Sequence, residues 1–575
     1  MVAKNAADVS RFAKLFHPLG LAGEGVQKYV GFIRRSLAER CAVEFRLLAP
    51  SFKRADTGPT PYESALTSVF VAIADIVQEH QGSVEQEFGT ENFIVVVRGL
   101  LEEADMQGMR VIEKFAKDHA KVFGQQAVGD TREVGAALEE AALLTQRTQQ
   151  FHSYIHNMAR SVVDLIPDRE AFIASLPQGY SDEDGLPPMS KLLHRVQELV
   201  SSYVVAEMNF LLHSVEKAVS ETDRLDLDDP EQLTTTLVDD AFFVLQQAMN
   251  RAITTFDINA VCAVVNNVSG AITNEIRSAL VKSLADSEWV YKYWVANLAN
   301  LDPPAHGEHP LTSLFLDVEG DVRDPLTSAD SWPHSLNNIQ QCAEYVDKLR
   351  ETTTDAFLEN FPDQGMEKDK FDYTIASLEQ TKAELEALHN GECRKGLLLF
   401  WIHLQPMLDT LSSLDYDIDE AQYADCQVND PFARPFIEQA EVIHQHLRRV
   451  LNPASCEEIL QEMVEQICTY VAEIVLEKRF SLFGANQLDN DVRGLCSFFT
   501  QLGERPLRHK FARLFEMADV LNTESIEEFG ELFGEATDWR LEPGEIGRLL
   551  TSRVEFNVTA ADLRTILPQY AQDTP

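Results

Sequence analysis

The chain has 575 residues, of which 45% are hydrophobic and 25% are charged, and its formal net charge is −43 at pH 7. This composition is typical of a globular protein with room for several domains, and it excludes a disordered or fibrous chain. The excess of 92 acidic over 49 basic residues argues against binding of nucleic acid or anionic lipid through the bulk surface, because both present phosphate groups.

Helical periodicity dominates the chain from one end to the other. The stretch FIVVVRGLL, which begins at Phe93, alternates like a strand but continues into helical spacing, so a helix is predicted there. From Val134 to Leu165, apolar residues recur at alternating spacings of three and four, which predicts one long helix. Another helix is expected to begin at Ser455, with Glu458 completing a capping box. The predicted fold class is therefore all-α.

Breaks rich in proline and acidic residues divide the predicted helices into bundles. The stretch 175–190 is interpreted as a mobile, solvated loop, and the largest break lies in the proline-rich region after residue 300. We expect helical bundles at 1–175, 189–300, 335–500 and 501–575, with a proline-rich linker at 301–334. Bundles in series form an elongated rod, a shape that suits a scaffold better than an enzyme with a pocket.

The sequence offers little that indicates catalysis. It contains no phosphate-binding loop, no H-E-x-x-H pattern and no G-x-S-x-G pattern. His152 and His156 stand four residues apart, which is a metal-ligand spacing, but no acid nearby in the sequence completes a ligand set. We interpret them as a surface or interface pair, with a metal-dependent hydrolase as the weakest alternative. No catalytic residue, metal ligand or cofactor site is predicted.

The expected cellular compartment follows from the cysteines and from the apolar runs. Eight cysteines are scattered without a C-x-x-C pair, which predicts free, mostly buried thiols in a reducing compartment. No apolar run approaches the roughly 20 residues that a membrane-spanning helix needs, and the first residues lack the apolar core of a signal peptide. We therefore expect a cytosolic protein that reaches membranes through partners.

A basic cluster near the end of the chain contrasts with the acidic background. It lies in RPLRHKFARLFEMADVLN (505–522), which has the pattern of an amphipathic helix. Arg505, Arg508 and Lys510 are interpreted as a solvated basic edge that faces an acidic partner. Arg513 differs from them, since it lies beside apolar positions of the helix.

Two acidic partners are open to Arg513. Glu516 lies three residues further on, and an exposed pair at this spacing contributes only ~0.3 kcal/mol. Glu545 lies in a later helix, where Pro543 fits the first helical position and places Glu545 at the third. A partly buried, bidentate pair between Arg513 and Glu545 would fix how the two helices meet.

Five segments with distinctive sequences are spread over most of the chain. The most specific is LVDDAFFVLQQAMNRAITTFDINAVCAVVNN (237–267), and the others lie at 9–33, 429–437, 480–495 and 510–556. In content and order they resemble the family of subunit 4 of the conserved oligomeric Golgi complex. That family has a further N-terminal helical region, with coiled-coil character, before the segment at Val9. We therefore expect this chain to be a shortened form.

The resemblance implies a non-catalytic subunit of a multisubunit tethering complex that acts in retrograde vesicle traffic within the Golgi. Its helical-rod fold would be shared with exocyst and related tethers, and an exocyst-type subunit is the alternative. The implied partners are sister subunits and Golgi SNAREs. Contacts with a Sec1/Munc18-type SNARE regulator are attributed to the N-terminal region that is absent here.

The resemblance also implies a location and a pair of important residues. The subunit would lie at the cytoplasmic face of Golgi membranes and in the cytosol, without a transmembrane anchor. In that family, the arginine and the glutamate that match Arg513 and Glu545 are a pairing position that supports the function of the complex.

Overall fold

A computed structural model describes residues 14–16, 21–48, 60–124, 131–220, 233–285, 332–361, 365–526, 528–530, 539–556, 558–559 and 563. Over these ranges the regular structure is helical, and the β-type pairing is limited to isolated bridges that join Phe480 to Tyr416 and to Arg553. The prediction of an all-α fold is confirmed. In the same ranges, no helix is both long enough and apolar enough to cross a membrane.

The main helices can be numbered in chain order. They are α1 (Ala22–Leu47), α2 (Pro61–Phe88), α3 (Thr90–Asp118), α4 (Thr131–Val163), α5 (Arg169–Ala174), α6 (Lys191–Ser220), α7 (Thr236–Thr254), α8 (Ile258–Ala271), α9 (Trp332–Asn360), α10 (Met366–Ser413), α11 (Glu420–Asn429), α12 (Ala433–Val450), α13 (Pro453–Glu477), α14 (Leu482–Leu502), α15 (Ala512–Asn522) and α16 (Pro543–Ser552).

The helical periods predicted from the sequence correspond to α3 and α4. Phe93 lies inside α3, and the long apolar stripe that begins at Val134 lies in α4. The helix start predicted at Ser455 is wrong, because α13 begins at Pro453. Asn452 is its N-cap, and the Asn452 side chain accepts the Ser455 N–H at 2.8 Å. Proline at the first helical position after an asparagine cap is a stronger start signal than the S-x-x-E pattern.

The chain divides into two compact units, each built from several stretches. Unit 1 comprises Met1–Glu221, Asp239–Ile276 and Val346–Thr381, and unit 2 comprises Thr222–Val238, Arg277–Tyr345 and Lys382–Pro575. The finer division into bundles at 1–175, 189–300, 335–500 and 501–575 stays a prediction. Most of the linker predicted at 301–334 lies outside the described residues.

The core of unit 1 is built by helices that pack through apolar stripes. Helix α3 packs against α1, α2 and α6, and α4 packs against α2 and α6. Phe70 of α2 and Phe151 of α4 stack with ring centroids 4.1 Å apart and nearly parallel planes. Such a buried aromatic pair fixes the lateral register of two helices in addition to burying area.

In unit 2, the short helix α15 lies at the centre of the C-terminal helices. It packs against α13, α14 and α16, and its residues Leu514, Met517, Ala518, Val520 and Leu521 are buried. A helix of this length is marginal on its own, so its stability comes from the neighbours that cover it. Helix α16 packs against both α15 and α13.

The cysteines are free thiols, and seven of the eight are buried, as the sequence predicts. Burial raises the pKa of the Cys468 thiol to about 12, so this thiol stays protonated at neutral pH. A protonated thiol is a poor nucleophile and a poor metal ligand.

The start of α14 provides a test of the packing in unit 2. Gly484 lies so close to the Tyr416 backbone that an added Cβ would stand 1.7 Å from the Tyr416 carbonyl oxygen. We expect Gly484→Ala to lower the free energy of unfolding by about 3 kcal/mol or more, because the backbone must move. The measurement is urea unfolding followed by far-UV circular dichroism.

Gly494 of the same helix is the matched control. An added Cβ at Gly494 would meet Ala433 at 3.8 Å, an ordinary contact. Gly494→Ala should leave the urea midpoint unchanged or raise it, since alanine favours a helix over glycine by about 1 kcal/mol. Equal losses in both variants would contradict the close approach at Tyr416.

Candidate functional site

The segment that carries the basic cluster is only partly an α-helix. A 3-10 turn covers Arg508–Phe511, and the α-helix begins at Ala512, so the helix predicted from residue 505 starts one and a half to two turns later. Pro506 disfavours helical conformation at the residue before it. As a result, Arg513 lies in the first turn of α15 rather than in the middle of a longer helix.

Helices α15 and α16 run side by side in the same direction. At their first turns, the guanidinium of Arg513 donates from Nη2 to Oε1 of Glu545. At their far ends, the buried Arg553, which follows α16, donates from Nη1 to the carbonyl oxygens of Leu521 and Thr523 at the end of α15. The two arginines therefore attach α16 to both ends of α15.

The pair between Arg513 and Glu545 is partly buried and is made through one hydrogen bond. The side chain of Arg513 is 35% exposed and that of Glu545 is 11% exposed. Oε1 of Glu545 accepts from Arg513, while Oε2 accepts the backbone N–H of Glu542 at 3.0 Å. The expected bidentate arrangement is therefore not formed, because the second oxygen caps the start of α16.

Glu516, the other partner considered for Arg513, is engaged elsewhere. Its Oε2 accepts the backbone N–H groups of Arg540 at 2.8 Å and of Leu541 at 3.1 Å, just before α16. In return, Nη1 of Arg540 donates to the carbonyl oxygen of His509 at 2.7 Å. These contacts hold the approach to α16 against the first turns of α15, so Arg513 is free to pair with Glu545.

The three residues of the predicted basic edge have different surroundings. Arg505 lies 3.3 Å from a carboxylate oxygen of Glu458, and Lys510 pairs with Glu465. Arg508 is exposed, and the described part of the chain provides no ion-pair partner for it. Exposed pairs of this kind contribute little stability, so the edge is able to exchange its internal acids for those of another protein.

A cleft of about 330 Å³ lies between α13 and the start of α15. Lys510, Arg513 and Arg540 contribute three positive charges to its lining, and Glu465 contributes one negative charge. The cleft also places the pair between Arg513 and Glu545 next to the basic edge. We name this surface, comprising the first turns of α15 and α16 and the edge at 505–510, the α15–α16 face.

Arg553 is a site residue that the sequence reasoning missed. It is 3% exposed, and its guanidinium lies 4.6 Å from the centroid of the Phe556 ring. A cation at the carbonyl end of a helix is favoured by the helix dipole. Its position directly after a predicted helix could have suggested that it binds carbonyl groups at the end of that helix. The carbonyl groups that it binds belong to a different helix.

His152 and His156 lie in unit 1, on α4, against the loop at 175–190. Nδ1 of His156 and Oδ2 of Asp184 are 2.7 Å apart, and the two imidazole rings are 4.1 Å apart between centroids. Burial and the neighbouring His156 lower the pKa of His152 to about 4. Within the described ranges, no group of three or more His, Cys, Asp or Glu side chains is arranged to hold a metal ion.

The loop at 175–190 is not solvated throughout, contrary to the expectation. Asp184, Leu186 and Ser190 are buried. Oδ1 of Asp184 accepts the Leu186 N–H at 2.9 Å while Oδ2 contacts His156. Burial alone would raise the pKa of Asp184, but the hydrogen bonds from His156, the Leu186 N–H and Ser181, together with the charge interaction with His156, outweigh it, so the pKa is lowered.

Comparison with known proteins gives similarities along most of the chain. A family model described as "Conserved oligomeric Golgi complex subunit 4, C-terminal" matches residues 334–548. Another, described as "COG4 transport protein, middle alpha-helical bundle", matches residues 11–122 and 116–284.

Curated proteins with the same description align over nearly the whole chain. Conserved oligomeric Golgi complex subunit 4 of Arabidopsis thaliana is 26% identical over 568 residues, which cover 95% of this chain and 71% of that protein. The Homo sapiens protein is 25% identical over 573 residues, which cover 95% of this chain and 72% of that protein. Among solved structures, the C-terminal domain of the exocyst subunit Sec6p gives a TM-score of 0.42 at 11% identity, over 65% of this chain and 91% of that one.

The coupling between Arg513 and Glu545 can be measured with a double-mutant cycle. We expect Arg513→Met and Glu545→Gln to show a coupling energy of about 1–2 kcal/mol in urea unfolding, because each change leaves a partly buried charge without its partner. The matched control is the cycle of Lys510→Met and Glu465→Gln, since Glu465 is 56% exposed; its coupling should stay below about 0.5 kcal/mol. Equal coupling in the two cycles would contradict a special role for Glu545.

The histidine pair gives a prediction of pH dependence. The folded-state pKa of His152 is about 4, below its ordinary value of about 6.5, so the unfolded chain binds a proton between these values that the folded chain does not. The free energy of unfolding should therefore fall as the pH decreases from about 6.5 to 4, by at most about 1.4 kcal/mol per pH unit from this group.

Replacement of His152 isolates this contribution. Urea unfolding between pH 4 and pH 7 should show a shallower pH dependence for His152→Gln than for the parent chain. His213, which is exposed on α6, provides the control, and His213→Gln should leave the slope unchanged. An unchanged slope in His152→Gln would show that burial does not hold this imidazole neutral.

Proposed function

The chain belongs to the family of conserved oligomeric Golgi complex subunit 4, and we propose that it works as a non-catalytic subunit of that Golgi tethering complex. Its role would be to hold other proteins together through protein–protein contacts. The finer part of the proposal is that the complex supports retrograde vesicle tethering within the Golgi and the organisation of the Golgi.

The observation that carries this proposal is the continuity of the similarity. It extends over 95% of the chain, rather than over one widespread helical motif. A helical fold alone supports many unrelated functions, so the proposal depends on the family and not on the fold class. The residues on which the resemblance was recognised lie in both compact units.

The α15–α16 face supports a role in protein contacts. The paired Arg513 and Glu545 fix the orientation of α16, and the exposed cations beside them lie in a chain of net charge −43. Opposite charges at the rim of an interface promote association and select partners more than they add affinity. We propose that this face meets an acidic surface of a sister subunit.

The proposed partners and location follow from the family. They are the sister subunits of the complex and Golgi SNAREs, at the cytoplasmic face of Golgi membranes. The net charge of −43 opposes contact with anionic lipid headgroups. Attachment to the membrane would therefore be peripheral and would be made through these protein partners.

Affinity capture from cell extract tests the function. We expect the tagged chain to recover the other subunits of the conserved oligomeric Golgi complex, as identified by quantitative mass spectrometry. Recovery of these subunits should fall severalfold for Arg513→Leu, because the change leaves Glu545 without its partner and weakens the attachment of α16 to α15. Recovery of exocyst subunits without Golgi subunits would overturn the proposal.

Arg508→Leu is the control for a general effect of losing a surface charge. Arg508 lies in the same basic edge and is exposed, so its replacement should leave α16 in place and reduce recovery less than Arg513→Leu does. Far-UV circular dichroism of both variants shows whether the fold is kept. A larger loss for Arg508→Leu would place the recognition in the edge rather than in the α15–α16 orientation.

A further inference from the structure

Unit 1 contains a second cleft, of about 440 Å³, that the sequence analysis did not predict. It lies between α3, the loop at 175–190 and the start of α6. Its lining includes Arg98, Met106 and Met109 from α3, Tyr180 and Met189 from the loop, and Lys191 from α6. The cleft shares no lining residue with the cleft at the α15–α16 face.

The walls of this cleft are held in place by buried acids. Asp105 accepts the backbone N–H groups of Lys191 and Leu192, each at 3.0 Å, and so fixes the start of α6 on α3. Asp184 fixes the loop on α4 through His156. The walls are therefore formed before any ligand arrives, which lowers the entropy cost of binding.

Gly185 brings the loop into direct contact with Arg98. Gly185 has a φ of +67°, and an added Cβ would stand 2.9 Å from the ring of Phe172, so glycine is required there. Its carbonyl oxygen accepts a hydrogen bond from Nε of Arg98 at 2.8 Å. This contact holds the guanidinium of Arg98 against the loop, and Arg98 is among the residues that line the cleft.

Arg98 is a half-buried cation, and the described part of the chain provides no carboxylate partner for it. Nη2 is buried without a hydrogen-bond acceptor, and the guanidinium lies 5.0 Å from the centroid of the Tyr180 ring. Burial lowers the pKa of Arg98, which means that its charge is poorly solvated. An arginine in this state gains free energy when a carboxylate reaches it.

The acids that line the cleft are already engaged. Glu102 pairs with Arg34 at 2.8 Å, and both oxygens of Asp105 accept backbone N–H groups. The described ion pairs therefore leave Arg98 without an acid from this chain. Among the described residues, Arg98 is therefore open to a carboxylate from another molecule.

Part of the lining is apolar and adaptable, with three methionines among its residues. Met106 is 43% exposed and Met189 is 46% exposed, and with Met109 they make three of the eleven methionines of the chain. Methionine side chains are flexible and polarisable, and they are typical of surfaces that accept apolar side chains of varied shape. Exposed apolar side chains in a concave site indicate a binding surface.

We propose that this cleft binds a segment of a partner protein in which a carboxylate is flanked by apolar side chains. The carboxylate pairs with Arg98, and the apolar side chains cover Met106, Met109 and Met189. A protein segment fits better than a lipid surface, because the net charge of −43 repels a whole anionic membrane far more strongly than it repels one carboxylate.

Methyl NMR of the full chain with ¹³C-labelled methionine tests this proposal. The probe is a short synthetic peptide with one glutamate flanked by leucines, and the matched control peptide carries glutamine instead. We expect saturable shifts of the Met106, Met109 and Met189 methyl signals and no shift of the other methionines. The glutamine peptide should bind about tenfold more weakly, because it cannot form the charge-assisted pair.

Variants of the protein identify the group that recognises the carboxylate. Arg98→Gln should lower the affinity for the glutamate peptide to that for the glutamine peptide, whereas Lys191→Gln, at the exposed rim, should change it much less. If Arg98→Gln does not fold, the affinities of the two peptides for the parent chain still test whether the cleft recognises a carboxylate. Equal affinities of the parent chain for the two peptides would overturn the proposal, and so would shifts spread over all methionines. It would also be overturned if only vesicles that contain phosphatidylserine produced shifts.

Discussion

The arrangement of the C-terminal helices depends on one carboxylate between two helix N-termini. Parallel packing of α15 and α16 brings together two ends that each carry a partial positive charge, and Arg513 adds a full one. Glu545 compensates both, since one oxygen accepts from Arg513 and the other caps its own helix at the Glu542 N–H. Removal of this carboxylate would leave like charges together, which would weaken the attachment of α16 at this end of α15.

In other parts of the chain, carboxylates accept backbone N–H groups from a different segment, which gives the acidic surplus a structural use. Glu140 accepts the N–H of Tyr62 at the start of α2, Asp105 serves the start of α6, and Glu457 accepts N–H groups at the turn after α14. In each case, a carboxylate on one helix satisfies N–H groups that another segment cannot pair internally. The acidic side chains therefore join helices as well as keeping the surface polar.

Periodicity and local start signals predicted helices, but they could not predict polar contacts between residues that are distant in the sequence. The apolar stripe at Val134 and the position of Pro543 are local patterns, so α4 and the start of α16 could be predicted. Glu516 and Arg553 bind backbone groups more than twenty residues away. Helical periodicity in the sequence does not indicate such contacts. The sequence left Glu516 and Glu545 open as partners of Arg513, and only the family resemblance favoured Glu545, because the first-turn position of Arg513 depends on the late start of α15 at Ala512.

The pair between Arg513 and Glu545 joins the starts of α15 and α16. Hydrogen exchange of the backbone amides, measured by mass spectrometry on the full chain, shows whether the attachment depends on this pair. In Arg513→Met, we expect faster exchange both in the first turn of α15 and at 541–546, around the start of α16, whereas Lys510→Met should leave exchange at 541–546 unchanged. Faster exchange confined to α15 would contradict this role, because it would show that α16 keeps its place without the pair.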